Sequence, residues 1–233
     1  QWRNDRVHRS TDVVTWASYA DRRFWGQPEL QARRGRGAMD QGIVEVVTGA
    51  EAAVYIQAHS VTKKRVPKKY RAAELDIKLR KERTKSETKI QSEARKAGVP
   101  TPIIQEIDGF DITMERIEGP SVRSVINETI AEQIGEVLCT LHSAGIAHGD
   151  PTTRNMIVLN KRIYLIDFGL ASYDKSLEAR GVDVHVFFQS LEASHENFRA
   201  LKKAFLAGYT KKCRDAEQVL SKVEEIKGRG RYL

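Results

Sequence analysis

Asp150 and Asp167 are the residues of this chain best placed to do chemistry. Asp150 opens the run Asp150-Pro151-Thr152-Thr153-Arg154-Asn155, preceded by His148-Gly149, and Asp167 opens Asp167-Phe168-Gly169. An Asp with an Asn five positions later, then two short strand patterns ending in Asp-Phe-Gly, suits phosphoryl transfer. A carboxylate at Asp150 can orient an attacking hydroxyl and accept its proton. Asn155 offers Mg²⁺ a neutral oxygen without adding charge near the incoming nucleophile. Asp167, at a strand end, supplies a hard anionic ligand that holds Mg²⁺ against phosphates. Gly169 lets the chain turn sharply beside it. Asp-Phe-Gly alone would be an ordinary strand-end turn; together with the upstream set it specifies a metal–nucleotide site.

Lys63, in the extended Val61-Thr62-Lys63, is the candidate amine for the ATP phosphates. Glu87, in the helix that follows, is its candidate ion-pair partner, with Glu74 and Glu82 as alternatives. Thr48-Gly49-Ala50-Glu51-Ala52 stands where a phosphate flap belongs, yet it has one glycine where such a loop carries three. Glu51 would put a negative charge beside a triphosphate unless it points away or couples to the Lys-rich segment. His148 reads as a brace for the loop backbone, and Asp183 as an acceptor of loop amides. His185 and His195 have no assigned role.

The elements that must position these groups divide the 233 residues into two lobes. Ile43–Val47 and Ala53–Ile56 read as strands around the turn 48–51, and Val61 begins a third. Residues 74–97 read as a charged helix with Leu75, Leu79 and Ile90 as its apolar marks, ended by Gly98 and Pro100. Asp108-Gly109 between Ile103-Ile104 and Ile112-Thr113-Met114 predicts a hairpin. Ile130, Ile134, Val137, Leu138 and Leu141 share one helical stripe. Met156–Leu159 and Ile163–Ile166 form a strand pair, and helices follow over 181–194, 196–209 and 214–227. The fold class is α+β, in two lobes. Residues 39–117 form a small strand-rich lobe and 118–233 a helical one with a basic tail, with the cleft at 115–119. Residues 1–38, with all three Trp, eight Arg and no Lys, lie outside this pattern. They read as an extension foreign to the fold, with Met39 a candidate start, or else as an Arg-Gly arm for nucleic acid.

Apolar residues make up 40% and charged residues 30%, a soluble balance with no run long enough to cross a bilayer. A cytoplasmic protein is expected, or a nuclear one if the source is eukaryotic. Cys139 and Cys213 are too few for a disulfide framework or a zinc site, and Cys139 reads as a small core residue. The net charge is +8, half of it from residues 1–38. The stretches Lys63-Lys64-Arg65…Lys68-Lys69…Arg71 and Lys222…Lys227…Arg229…Arg231 are candidate contacts for a phosphate-bearing partner, or solvated faces.

The chain resembles the small atypical kinase/ATPase subunit of the KEOPS complex (EKC in eukaryotes). The matching stretches run from Gly49-Ala50-Glu51-Ala52 through Lys63, Arg65, Pro67-Lys68, Tyr70-Arg71 and Arg83-Thr84…Glu87. They continue with Met114-Glu115…Ile117-Glu118-Gly119, the His148–Met156 loop, Ile166–Leu170, Gly181-Val182-Asp183 and Arg229-Gly230-Arg231. The likeness covers residues 40–233 and is strongest to archaeal members. It implies a minimal two-lobed protein-kinase-like fold, ATP and Mg²⁺ as cofactors, Asp150 as proton acceptor, Lys63 on the phosphates, and Asn155 and Asp167 as metal ligands. It also implies that Gly49, Ala50 and Glu51 cover the nucleotide, that Met114 faces adenine, and that the Glu115 carbonyl and Ile117 amide bind its edge. The implied role is an ATPase/serine–threonine kinase supporting threonylcarbamoyladenosine modification of tRNA, beside the modifying enzyme and other KEOPS subunits. Pro151 departs from the family pattern, which usually has Leu. Only thirteen residues lie between Gly169 and Asp183, without Ala-Pro-Glu, and Gly149 replaces the arginine that reads a phosphorylated loop. A small-molecule kinase of the aminoglycoside or choline type, and a non-catalytic kinase-fold scaffold, are the alternatives.

Overall fold

Strand β1, Glu45–Thr48, opens an antiparallel sheet in the computed structural model, which describes residues 45–49 and 51–229. The expectations for 1–38, Ile43, Val44, Ala50 and Arg231 fall outside the described residues. The sheet continues with β2 Ala52–Ile56, β3 Ser60–Arg65, β4 Ile104–Asp108 and β5 Asp111–Glu115, in the order β1-β2-β3-β5-β4. Register fixes its faces. Val61 of β3 pairs with Met114 and Lys63 with Ile112, so Val61, Lys63 and Arg65 share one face with buried Ile112 and Met114. Thr62 and Lys64 take the other face, where they meet Thr113 and Asp111. Asp108-Gly109 does turn a hairpin, with Gly109 at φ 57°.

Helix α1, Ala73–Lys96, crosses between β3 and β4. Ile90 is buried on it, but Leu75 is 50% exposed. The buried side of α1 is instead largely polar: Asp76, Thr84, Glu87, Thr88 and Gln91. Hydrogen bonds place it, including Gln91 Nε2 to the Pro102 carbonyl at 2.9 Å and Thr84 Oγ1 to the Phe110 carbonyl at 3.2 Å. An apolar-periodicity reading therefore misjudges what this helix buries.

After β5 the chain passes Gly119-Pro120 into the second lobe. Ile117 packs there with Ile157 and Ile166, and the Val158 amide donates to the Pro120 carbonyl at 3.0 Å. The lobe comprises α2 Val122–Val125, α3 Glu128–Ser143, β6 Ile146–Ala147, β7 Met156–Leu159, β8 Arg162–Leu165, β9 Ser172–Tyr173, α4 Leu177–Glu192, α5 Phe198–Lys212 and α6 Ala216–Arg229. Asn127 Oδ1 caps α3 by accepting the Ile130 amide at 2.9 Å. Ser176 Oγ caps α4 through the Ala179 amide at 3.1 Å, which starts that helix four residues before the apolar pattern does. Asn160 and Lys161, at φ 49° and 62°, make the two-residue turn between β7 and β8. The core gathers Ile134, Leu138, Leu141, Phe187, Phe205 and Tyr209. Within it Cys139 and Cys213 form a disulfide, contrary to the reading of Cys139 as a free core residue. They are 74 positions apart, and only the packing of α3 against α5 brings their Cα atoms to 5.6 Å. Among the described residues no helix is long and apolar enough to cross a membrane.

Candidate active site

Four acidic and basic side chains meet where β3, α1 and the end of the β8 segment converge. Lys63 Nζ donates to Glu87 Oε1 and to Asp167 Oδ1, both at 2.7 Å. Of the three glutamates considered for Lys63, it is Glu87 that reaches it. The other oxygen, Glu87 Oε2, accepts from Arg65 Nη2. The Glu87 and Arg65 side chains are 2% and 4% exposed and Lys63 is 12% exposed. Burial pulls the Lys63 ammonium down, but the Asp167 and Glu87 carboxylates more than offset it and its pKa is raised. Lys63 therefore stays charged.

Asp167 adopts φ 61°, a conformation uncommon outside glycine and one that recurs at functional sites. The Gly169 amide also donates to its Oδ1 at 3.1 Å. A Cβ on Gly169 would lie 3.0 Å from that oxygen and 3.4 Å from Lys63 Nζ, so glycine leaves this pair its space.

The loop carrying Asp150 is held from below. Asp183, 1% exposed on α4, accepts the His148 amide at 2.6 Å and the Gly149 amide at 2.8 Å. Asp183 Oδ2 also meets His142 Nε2 at 3.1 Å, and His142 Nδ1 meets Tyr209 Oη at 2.8 Å. Burial pushes the Tyr209 hydroxyl up, so it stays protonated within this chain of contacts. Sequence reasoning reached Asp183 but missed His142 and Tyr209; their only signal is polar chemistry on otherwise apolar helix faces. The fully buried His148 ring packs on Phe168, with 4.9 Å between ring centroids, and burial favours its neutral form. Gly149 has φ 82°, and a Cβ there would fall 2.4 Å from the Leu170 carbonyl oxygen. Glycine is required where other kinases carry arginine.

Asn155 Nδ2 donates to Asp150 Oδ2 at 2.8 Å and to the Asp150 carbonyl at 2.9 Å. Its Oδ1 is buried and has no hydrogen-bond partner. An unpaired buried oxygen is costly in isolation but fits a cation ligand. No cluster of three or more His, Cys, Asp or Glu ligands occurs among the described residues. A Mg²⁺ held by Asn155 and Asp167 would complete its shell with phosphate oxygens and water, as this ion usually does. Burial pushes the Asp150 carboxyl up and Asp167 adds to that, while His148 and the Asn155 hydrogen bond pull it down; the net direction is up.

At the far side of the cleft, the Gly49 amide donates to the Ala52 carbonyl at 2.9 Å and closes the β1–β2 turn. Glu51 couples to Arg83 of α1, not to the Lys-rich segment. Met114 is buried with Val61 and Ile112, and Ile117 is buried at the lobe junction. The Glu115 amide donates to the Ile103 carbonyl at 2.8 Å, and its carboxylate accepts the Ile103 amide at 3.1 Å. The structure thus places Met114, Glu115 and Ile117 along the strand end and crossover between lobes.

The first basic stretch is mostly committed internally. Lys64 pairs with Asp111, Arg71 with Asp76, and Lys63 and Arg65 with Glu87. In the second, Lys222 and Arg229 pair with Glu225 and Glu178, and Lys227 with Glu224.

No family model matches the chain. A "Probable serine/threonine-protein kinase BUD32 homolog" of Archaeoglobus fulgidus is 48% identical over 190 residues, which cover 82% of this chain and 97% of that protein. The chain belongs to the BUD32 family. A "Probable bifunctional tRNA threonylcarbamoyladenosine biosynthesis protein" of Methanosarcina mazei is 52% identical over 189 residues, 79% of this chain and 35% of that protein. Its counterpart in Methanocorpusculum labreanum is 42% identical over all 233 residues, 41% of its own length. The chain thus spans roughly two fifths or less of these bifunctional relatives, whereas it matches the BUD32 homologue nearly end to end. The fold is similar to that of Rio2 kinase from Chaetomium thermophilum in a complex titled ADP/Mg²⁺-phosphoaspartate (TM-score 0.57, 14% identity, 82% of this chain and 71% of that one). It is similar too to an aminoglycoside phosphotransferase of Streptomyces rimosus (TM-score 0.55, 14% identity, 79% and 94%). The two-lobed kinase-like fold of this BUD32 relative is thereby established.

Proposed function

We propose that this chain is an ATP-dependent phosphotransferase and ATPase that serves threonylcarbamoyladenosine modification of tRNA within a KEOPS-type assembly. The observation that carries the proposal is the ion cluster in which Lys63 bridges Glu87 and Asp167, with Asp167 near enough to the Asn155-bound Asp150 to raise its pKa. Asp150, fixed by the Asn155 amide, orients the attacking hydroxyl or water and accepts its proton. Lys63, kept charged, holds the phosphates, while the turn with Gly49 and Glu51 forms the cover and Met114, Glu115 and Ile117 the adenine edge. Asn155 and Asp167 would hold Mg²⁺, which would supply charge neutralisation at the phosphates.

Only a short stretch, with Leu170 70% exposed and the two-residue β9, lies between Asp167-Phe168-Gly169 and α4. It offers little platform for a peptide, which favours ATP hydrolysis or transfer directed by a partner over independent protein phosphorylation. The family relation to the tRNA-modifying proteins supports the cellular role.

ATP hydrolysis by the purified chain should be measured alone, with the modifying enzyme, and with tRNA added. Stimulation by enzyme and tRNA together is expected. Phosphorylation of a small hydroxylated compound instead would favour a small-molecule kinase, and no turnover under any condition would leave a scaffold.

A further inference from the structure

Lys63 and Arg65 are two positions apart in β3, so both side chains leave the same face of the strand, toward α1. Both end on one carboxylate. Lys63 takes Glu87 Oε1 and Arg65 takes Oε2, each oxygen with its own cation. The two cations are not equivalent. Lys63 also contacts Asp167 and is the one that a nucleotide would draw away toward its phosphates. Arg65 is 6% exposed, contacts no group of the catalytic loop, and carries a guanidinium that keeps its charge at any relevant pH. A glutamate buried as deeply as Glu87 needs a permanent counter-charge, and Arg65 supplies it whether or not Lys63 is engaged.

The same residue ties strand to helix a second way, since Arg80 of α1 reaches the Arg65 carbonyl at 3.5 Å while its Nε holds Asp76 at 2.7 Å. These anchors matter because α1 rests on polar contacts and has little apolar surface to hold it in place. In regulated protein kinases the Lys–Glu pair is conditional, made when the helix swings in under control of the activation loop. Here the segment that would exercise that control is too short.

We infer that Arg65 is a positioning residue that clamps Glu87, and with it α1, permanently in the paired arrangement, so that the site needs no loop switch. The inference deepens the phosphotransferase role proposed above and rests on it for its activity readout.

The test compares Arg65→Met and Arg65→Lys with the unaltered chain. Amide hydrogen exchange across Thr84–Gln91 of α1 and across α3, the thermal midpoint, and kcat and KM for ATP are all measured. Losing a charge-assisted hydrogen bond predicts about 10- to 100-fold faster exchange in α1, with α3 unchanged. It also predicts a fall in kcat/KM of about the same size in folded protein. Arg65→Lys, which keeps the charge but not the fork, should recover part of both. Exchange and kcat/KM for Arg65→Met within about twofold of the unaltered chain would overturn the clamp. So would loosening of α3 to the same extent as α1, which marks a merely structural residue. Should Arg65→Met fail to fold, Arg65→Lys decides by the same α1-versus-α3 comparison. If the unaltered chain turns over no ATP, the phosphotransferase role fails while the exchange data still decide the clamp.

Discussion

Replacing Gly149 by alanine should cost both turnover and stability, and the geometry says by how much. At φ 82° a side chain costs about 1–2 kcal/mol relative to glycine. The new Cβ would stand 2.4 Å from the Leu170 carbonyl oxygen and 2.9 Å from Leu170 Cβ, whereas ordinary contact begins at 3.4 Å. About 1 Å must therefore open between the Asp150 loop and the segment after Asp167-Phe168-Gly169. The loop is pinned by two amide bonds to Asp183, so much of the shift falls on the other side, where Asp167 is held. A misplacement of about 1 Å between groups that must act together costs on the order of 10²-fold in rate. Steady-state ATP turnover and thermal denaturation of Gly149→Ala should thus show kcat down about 100-fold, against a loss of about 1–3 kcal/mol in stability. Gly149→Arg, which installs the residue other protein kinases use, should be worse. A Gly149→Ala protein with kcat within about twofold of the original would refute the reasoning, because the required displacement would then be harmless to the site.

Lys63→Met should lower kcat about 10²- to 10³-fold, as for removal of one preorganised donor, while the protein stays folded because Glu87 keeps Arg65; activity assays paired with circular dichroism check both halves. The raised pKa of Asp150 places the acid limb of the kcat–pH profile above the usual aspartate range, since the proton acceptor must be ionised to work. Asn155→Ala removes a hydrogen bond that favours the carboxylate, so the limb should move to still higher pH, with a greater Mg²⁺ requirement; pH–rate profiles at saturating Mg²⁺ separate the two effects. Reducing the Cys139–Cys213 bond, or changing both residues to alanine, should cost about 2–4 kcal/mol of stability, seen in denaturation with and without reductant.

The sequence alone determined what is local. Asp150 and Asn155 are five residues apart in one loop, and their contact follows from that spacing. The hairpin at Asp108-Gly109 follows from turn chemistry, the β7–β8 pair from two short apolar runs, and α3 from its apolar stripe. The division into a strand-rich and a helical lobe is likewise visible in the periodicities. Tertiary structure decided what depends on distant segments meeting. It chose Glu87 over Glu74 and Glu82, gave that glutamate a second cation in Arg65, and turned Glu51 toward Arg83. It withdrew most of the first basic stretch into ion pairs and joined two cysteines 74 residues apart. Charged residues all look alike to a periodicity argument, because a solvated lysine and a buried one have the same letter. Whether a charge faces water or a counter-ion is set by which strand face and which helix turn are pressed together, and that is known only once the chain has packed.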